Sequence, residues 1–241
     1  MKKKNLLSLR LTIIIPVFNE EKTIKNLLDK IEKQTYVKKQ IILIDDKSDD
    51  DSLKIIANYK FKSEYKIFTH CKNKGKGACI KTAQKYVNGD LIVIQDADLE
   101  YDPADYKNLL NAFLNHRGNI IYGSRLLNRK FTKKNNFISL KRVLANKFLT
   151  LFSNLINNQK LTDAHTCYKM FKASIFKKIK LNENGFAFCP EITTKIANLN
   201  EKIYEVPINY SGRGFSSGKK IRFFDGIEAL LSILKYRNFK K

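Results

Sequence analysis

The first half of the chain alternates short apolar runs with segments in which apolar residues recur every three to four positions. The runs are continuous and rich in Ile, Leu and Val, which is typical of strands covered on both faces. The predicted strands are Leu11–Phe18, Gln40–Asp46, Tyr65–Thr69, Asp90–Asp96 and Asn119–Ser124, and the predicted helices are Ile24–Ile31, Ser52–Tyr59, Gly77–Val87 and Pro103–Asn115. This alternation predicts an α/β fold, with a mainly parallel, doubly wound sheet and helices on both faces.

The second half is less regular and predicts three further helices and one strand. The helices are Phe137–Asn157, Pro190–Leu199 and Asp225–Arg237, and the strand is Lys202–Tyr210. The first and last of these helices carry an apolar stripe beside basic residues. Such a stripe either packs into the core or lies in a membrane interface, where Lys and Arg meet anionic headgroups. We expect one domain over residues 1–218, followed at 219–241 by a basic amphipathic helix in peripheral contact with a membrane.

Acidic side chains follow two of the predicted strands, and Arg125 follows a third. In doubly wound sheets, ligands bind beyond the carboxyl ends of the strands. Asp96 and Asp98 are two positions apart in extended chain, so their carboxylates face one side, and Glu100 continues the same parity. Oxygen ligands of this kind select Mg²⁺ or Mn²⁺, with substrate phosphates completing the coordination shell. The pattern predicts a metal and phosphate site at this edge of the sheet.

The distribution of charge changes the interpretation of a strongly basic composition. The chain of 241 residues has 46 basic and 23 acidic side chains, a net charge of +23, and no acid lies between Tyr106 and Thr162. The acids cluster near the predicted strand ends instead. A face that binds nucleic acid does not usually contain two dense carboxylate clusters, so no nucleic-acid partner is expected. The arrangement favours an anionic ligand bridged by a metal ion.

Neither the cysteines nor the apolar runs indicate a secreted or membrane-spanning protein. The four cysteines form no CxxC pair, which argues against a disulfide framework or a zinc site. No apolar run approaches the roughly 20 residues of a spanning helix, and Met1–Ser8 lacks the apolar core of a secretory signal. We expect a cytoplasmic, reducing compartment and peripheral attachment to the inner face of an anionic membrane.

Several short motifs occur in the order that is typical of one large enzyme family. They are Pro16-Val-Phe18-Asn-Glu20, Ile44-Asp45-Asp46, Asn73-Lys-Gly75-Lys76-Gly77, Asp96-Ala97-Asp98, Tyr122-Gly-Ser-Arg125 and Thr162-Asp163-Ala-His-Thr-Cys-Tyr-Lys169. Through them, the sequence from Leu11 to Asp225 resembles the family 2 glycosyltransferases of the GT-A fold, and most of all their polyprenyl-phosphate sugar synthases. The resemblance implies that residues 1–218 are a catalytic domain. The implied reaction is inverting, metal-dependent transfer of a sugar from a GDP- or UDP-linked donor to a dolichyl- or undecaprenyl-type phosphate.

The same resemblance implies roles for individual residues. The residues that it implies bind the nucleotide sugar are Pro16, Phe18, Glu20, Ile44, Asp46, Lys76, Asp96, Ala97 and Lys220. The residues that it implies bind Mg²⁺ or Mn²⁺ are Asp98 and Glu100. The implied catalytic positions are Asp98, Arg125, Arg142, Glu191 and Arg213.

The nature of the acceptor decides which of these residues catalysis requires. A lipid phosphate is already an anionic nucleophile and needs mainly cationic positioning, for which Arg125, Arg142 and Arg213 are candidates. A saccharide hydroxyl needs a general base, for which Glu191 is the candidate. The abundance of cations favours the lipid phosphate. The alternatives are transfer to a saccharide in surface-polysaccharide synthesis and, from another class, a non-enzymatic basic module that binds membrane or nucleic acid.

Overall fold

The core of the protein is one seven-stranded sheet. A computed structural model describes residues 6–116, 118–127, 140–213 and 223–238. The strands in this part of the chain are β1 (Arg10–Val17), β2 (Lys38–Asp45), β3 (Glu64–Thr69), β4 (Leu91–Ile94), β5 (Ile120–Ser124), β6 (Lys169–Lys172) and β7 (Ile203–Pro207). Their order across the sheet is β3-β2-β1-β4-β6-β5-β7. The six strands predicted from the sequence are confirmed, with differences of a few residues at their ends.

Parallel pairing dominates this sheet. β1 pairs in parallel with β2 and β4, β2 with β3, and β5 with β7. Only β6 runs antiparallel among these strands, between β4 and β5. The sequence did not predict β6, because its four residues, Lys-Met-Phe-Lys, are too few to show a period. The expectation of a mainly parallel sheet is therefore confirmed, with β6 as the exception.

Helices cover both faces of the sheet, as predicted. The described helices are α1 (Ile24–Glu32), α2 (Ser52–Ala57), α3 (Lys76–Gln84), α4 (Tyr106–His116), α5 (Leu140–Asn157), α6 (Ala173–Lys178), α7 (Phe188–Asn198) and α8 (Phe223–Tyr236). One cluster of buried apolar side chains packs α1, α2 and α4 against one face, and a second packs α3, α6 and α7 against the other. The alternation within β1 explains this, because Ile13 and Ile15 belong to the first cluster and Ile14 to the second.

The final helix is less basic than the sequence analysis expected for residues 219–241. α8 packs against α5 and α7. It carries the acids Asp225 and Glu228 against a single lysine, Lys235. The basic character of this region therefore belongs to the residues that flank α8, and most of these lie outside the described part of the chain.

Three loops at the carboxyl ends of the strands depend on left-handed backbone. Asn19 follows β1, Lys47 follows β2 and Leu99 follows β4, and their φ angles are 51°, 63° and 60°. Left-handed backbone costs a residue other than Gly about 1–2 kcal/mol of conformational energy, so the surrounding structure must hold these turns in place. Strained backbone of this kind clusters at functional sites, so these three loops indicate a functional site at this edge of the sheet.

Replacing Lys47 with Gly is expected to stabilise the fold by about 0.5–1 kcal/mol, because Gly adopts a positive φ without steric strain. Lys33→Gly is the matched control. Lys33 is also exposed, but it ends α1 with a φ of −63°, so Gly there should destabilise the fold by about 0.5–1 kcal/mol. Urea unfolding measures both changes, and an equal loss of stability in the two variants would contradict the strain argument.

Candidate active site

A cleft of about 1460 Å³ opens at the carboxyl ends of β1, β2, β4 and β5, with α5 and α8 contributing to its other walls. Most of the residues that the sequence analysis selected lie on its surface. They are Pro16, Phe18, Glu20, Asp46, Lys76, Asp96, Ala97, Asp98, Glu100, Arg125, Arg142 and Arg213. The fold thus brings together side chains from distant parts of the sequence, such as Glu20 and Arg213, which are 193 positions apart.

Another selected residue, Ile44, does not line the cleft. Ile44 is fully buried in the apolar cluster between the sheet and α3, so its side chain is a core residue rather than a contact of a nucleotide. Lys220 lies outside the described residues. The motif around Ile44 therefore contributes to the cleft through Asp46, which follows the end of β2.

Glu191, the candidate general base, does not line the cleft. Its side chain is fully buried. The carboxylate accepts hydrogen bonds from the backbone N–H groups of Asn182 and Glu183, at 2.7 and 2.9 Å, and from Lys195 Nζ at 2.6 Å. The two preceding residues line the cleft, but the turn of α7 directs Glu191 into the core. A carboxylate held in this way does not reach a hydroxyl acceptor in the cleft.

Two aspartates project from the segment that follows β4, residues 95–101, which we term the acid loop. Asp96 forms an ion pair with Lys76 Nζ. Burial acts to lower the pKa of Lys76, but the charge and hydrogen-bond effects of Asp96 and Cys167 together outweigh it and raise the pKa, so the ammonium stays charged. Burial raises the pKa of Asp98 to about 7, and the negative charges of Asp96 and Glu100 act in the same direction. The acid loop therefore carries more negative charge than its own surroundings neutralise.

Arg213 joins two acidic segments across the cleft. Its guanidinium donates to both oxygens of Glu20, at 3.0 and 2.6 Å, and lies 3.3 Å from an oxygen of Asp98. The backbone N–H of Arg213 donates to one oxygen of Glu100 at 2.9 Å, and the Tyr210 hydroxyl donates to the other at 2.9 Å. Main chain and side chain together hold this cation over the acid loop.

Arg125 forms a two-pronged ion pair with Asp163, which precedes β6. The side-chain N···O distances are 2.6 and 2.8 Å, and the backbone N–H of Arg125 donates to the same carboxylate at 3.1 Å. Burial raises the pKa of Asp163, but Arg125 lowers it by more, so the carboxylate stays ionised. Asn146 of α5 also donates to Asp163, at 3.0 Å. This contact ties the helix that carries Arg142 to the end of β5.

Asp46 is the centre of a buried hydrogen-bond network at the cleft wall. Its carboxylate accepts from the backbone N–H groups of Lys74 and Gly75 and lies 2.6 Å from His70 Nδ1. One ligand atom each from Asp46, His70 and Cys79 lies within 4.8 Å of the others, a grouping of metal-ligand types. Burial, however, raises the pKa of the Cys79 thiol far above its usual value, so the thiol keeps its proton. The network therefore fixes the loop before α3.

Gln95 supports the acid loop from below, a role that the sequence analysis missed. Its side-chain amide donates to the backbone carbonyls of Asp96 and Tyr101, at 2.9 and 3.5 Å. Its side-chain carbonyl accepts from the hydroxyls of Tyr106 and Tyr168, both at 2.6 Å. A fully buried amide requires partners of this kind. The available signal was a polar residue directly after the apolar run Leu-Ile-Val-Ile.

His165 also lines the cleft, and the sequence analysis did not select it for the site. Within the described part of the chain, its Nε2 atom is buried without a hydrogen-bond partner. Burial, together with the positive charge of Lys169, lowers the pKa of His165 to about 4, so the ring is neutral near pH 7. A single histidine outside any metal-ligand or triad spacing gives no local signal, and only the fold brings it to the cleft.

The residues of the acid loop fit a divalent metal ion. Asp96, Asp98 and Glu100 supply hard oxygen ligands, and burial together with the neighbouring acids raises the pKa of Asp98, a cost to the ionised form that a cation would relieve. Of the two predicted metal ligands, Asp98 fits more directly, because each oxygen of Glu100 already accepts a hydrogen bond. A bound ion of this type supplies positive charge to a departing diphosphate.

Comparison with known proteins identifies related sequences. A family model described as Glycosyl transferase family 2 matches residues 12–180. The chain is 26% identical to the dolichyl-phosphate beta-glucosyltransferase ALG5A of Trichomonas vaginalis, over 97% of this chain and 75% of the relative. It is 27% identical to the UDP-N-acetylglucosamine–dolichyl-phosphate N-acetylglucosaminyltransferase of Methanococcus voltae, over 92% of this chain and 94% of the relative.

A solved structure confirms the predicted fold. The chain resembles the glucosyl-3-phosphoglycerate synthase of Mycobacterium tuberculosis, crystallised with Mn²⁺, uridine diphosphate and glucosyl-3-phosphoglycerate, with a TM-score of 0.70. The match covers 97% of this chain and 81% of that protein at 16% identity. At this identity the likeness concerns the architecture alone.

The affinity for Mn²⁺ is expected to fall about tenfold when the pH is lowered from 8 to 6. With a pKa of about 7, Asp98 is mostly ionised at pH 8 and mostly protonated at pH 6, and the proton competes with the metal. Calorimetric titration with Mn²⁺ measures the effect. Asp98→Asn should bind more weakly and lose the pH dependence, whereas Asp51→Asn, at an exposed carboxylate, should match the wild type. An affinity that does not vary with pH would contradict this assignment.

Proposed function

Because the chain belongs to glycosyl transferase family 2, we propose that it transfers a sugar, with inversion, from a nucleotide diphosphate sugar to the phosphate of a polyprenyl lipid. One observation carries the choice of acceptor. The cleft that contains Arg125 and Arg142 opens onto an exposed apolar surface of α5 and α8, so it suits a ligand with an anionic head and an apolar tail. The relatives named as dolichyl-phosphate glycosyltransferases support the proposal.

The donor, in this proposal, occupies the end of the cleft next to the acid loop. Its base and ribose lie beside Pro16, Phe18 and Asp46. Its diphosphate lies near Lys76 and Arg213, which the structure holds over the acid loop through ion pairs. Cations fixed in advance stabilise the charge that develops on the leaving diphosphate without reorganising during the reaction.

The acceptor phosphate, in this proposal, lies near Arg125 and Arg142. A phosphate is an anionic nucleophile at neutral pH, so the protein has to orient it rather than remove a proton from it. Asp163 fixes the guanidinium of Arg125 by two hydrogen bonds and keeps it charged. The burial of Glu191 favours this acceptor over a saccharide hydroxyl, because the only general base proposed from the sequence does not reach the cleft.

The apolar surface that we assign to the lipid consists of one face of α5 and one face of α8, and we term it the apolar face. Its exposed side chains are Leu144, Phe148, Leu151 and Leu155 of α5 and Phe224, Ile227, Leu231 and Leu234 of α8. Phe148 and Ile227 are exposed and also line the cleft. The cleft and the apolar face are therefore continuous at these two residues, which supports a path for the isoprenoid chain from the acceptor site to the surface.

We further propose that the apolar face contacts a membrane from one side. No helix within the described residues is long and apolar enough to cross a bilayer. Eight large apolar side chains on two adjacent helices are more than scattered surface residues and mark an interaction surface. The net charge of +23 favours an anionic lipid surface, since cations near the headgroups each add to the attraction.

Transfer is expected to a short polyprenyl phosphate and not to a free oligosaccharide, when each is supplied with a panel of GDP- and UDP-sugars and Mn²⁺. Arg142→Ala should raise the KM for the lipid phosphate about tenfold, because it removes a charge-assisted contact. Lys147→Ala, an exposed cation on the same helix, is the matched control and should behave as the wild type. Transfer to the oligosaccharide alone would establish the saccharide alternative instead.

Binding to vesicles of equal parts phosphatidylglycerol and phosphatidylcholine should weaken about tenfold when Leu151 or Leu231 is replaced by Glu. In the proposed contact, each of these leucines is buried in the bilayer interface. Each change removes that apolar contact and adds a negative charge. Leu7→Glu is the control, since Leu7 is 55% exposed but lies outside α5 and α8. Cosedimentation measures the bound fraction, and equal losses in all three variants would argue against the apolar face as the contact.

A further inference from the structure

The segment between α6 and α7 contains a short loop, residues 182–185, which we term the 182–185 turn and which one carboxylate fixes from behind. The backbone N–H groups of Asn182 and Glu183 donate to the two oxygens of Glu191, at 2.7 and 2.9 Å. Lys195 Nζ donates to the same carboxylate at 2.6 Å, and both members of this ion pair are fully buried. Because two adjacent amides share one ionised acceptor, the orientation of the turn depends on Glu191.

The other side of the 182–185 turn holds the start of α3. The carbonyl oxygen of Asn184 accepts a hydrogen bond from the backbone N–H of Ala78, at 3.0 Å. Lys81 Nζ donates to the carbonyl oxygen of Asn182 at 2.9 Å and to the side chain of Asn184. The turn therefore satisfies the backbone N–H of Ala78 in the first turn of α3, which would otherwise have no partner within the helix.

The two glycines that flank Lys76 make this contact close. Gly75 has a φ of +92°, and a Cβ there would lie 2.6 Å from the carbonyl oxygen of Asn184. A Cβ at Gly77 would collide with the carbonyl oxygen of Glu183 and would lie 2.8 Å from Cβ of Phe188. The backbone on both sides of Lys76 thus rests directly on the 182–185 turn. A shift of that turn must displace Lys76.

Lys76 is the point at which this packing reaches the cleft. Its ammonium pairs with Asp96 of the acid loop and lies 3.0 Å from Sγ of Cys167. It lines the cleft at the end that we assign to the donor diphosphate. The chain of contacts therefore runs from Glu191 through the 182–185 turn and the start of α3 to the Lys76 ammonium.

We propose that Glu191 is a positioning residue for the donor diphosphate. It acts by fixing the 182–185 turn, which in turn fixes the backbone around Lys76 and the direction of its ammonium. This role rests on the proposed function, since it assumes that the diphosphate meets Lys76. It assigns to Glu191 a part in donor binding and none in proton transfer from the acceptor.

The experiment compares the wild type with Glu191→Gln, which keeps the size of the side chain and removes its charge. Calorimetry with uridine diphosphate and with guanosine diphosphate, each with Mn²⁺, should give a Kd about tenfold higher for the variant, as is typical when a supporting contact is lost. The KM for the acceptor and the pH profile of kcat should stay unchanged. A general base would give the reverse: an unchanged nucleotide Kd, a reduced kcat and a lost limb of the pH profile. That result would overturn the inference.

A second pair of variants tests the same contact without touching the buried ion pair. Gly77→Ala inserts a methyl group against the 182–185 turn and should also raise the nucleotide Kd about tenfold. Gly185→Ala is the matched control, because no atom lies within 4 Å of the position its Cβ would take. It should bind nucleotide as the wild type does. Equal affinities in Gly77→Ala and Gly185→Ala would overturn the inference.

Hydrogen exchange supplies a readout that needs no nucleotide. In Glu191→Gln, the amide of Ala78 should exchange faster, because its acceptor on Asn184 is no longer held, while amides of β1 and β2 should exchange as before. A wild type that binds neither nucleotide would remove the proposed function and this role together. A wild type that binds nucleotide, with variants that bind equally well and exchange at the same rate, would remove the role of Glu191 alone.

Discussion

Mutual repulsion among carboxylates of low solvent exposure is the constraint on which the site depends. Four of them converge at the ends of β1 and β4; Glu20 and Glu100 are buried, and Asp96 and Asp98 are half-buried. Burial raises the pKa of Asp98, and the negative charges of Asp96 and Glu100 act in the same direction. The chain supplies positive charge from two distant segments, through Lys76 at the start of α3 and Arg213 beyond β7. Ion pairs thus join segments that are distant in sequence across the cleft.

Much of the fold was predictable because the spacing of apolar residues over a few positions distinguishes strands from helices. The buried runs of β1, β2 and β4 and the spacing of Ile24, Leu27 and Leu28 in α1 each act within a few residues. The edge of the sheet at which we propose that ligands bind followed from the alternation of strands and helices. β6 was missed, because four residues are too few to show a period and its pairing with β4 and β5 is set by contacts distant in sequence.

The residues of the site also fall into those that local motifs could place and those that depend on contacts distant in sequence. The motifs located Asp96, Asp98 and Arg125 on the cleft, since a short motif at a strand end fixes both position and direction. They failed for Glu191, because on a helix each step rotates the side chain by about 100°, so a motif that identifies the segment does not identify the face. The partner of Arg125 was also beyond local reasoning. Asp163 is 38 positions away, and only the fold brings the two together.

The contacts of Gln95 have a consequence for the energetics of ligand binding. Four hydrogen bonds of one buried amide, two donated and two accepted, join two backbone carbonyls of the acid loop to two tyrosines. The unfavourable approach of like charges is therefore completed when the chain folds, in the absence of any ligand. In the proposed function, a metal ion and a diphosphate meet carboxylates and cations already in place, so little ordering entropy is lost on binding. The acid loop therefore lowers the stability of the protein without ligand and, for the same reason, raises its affinity for ligand.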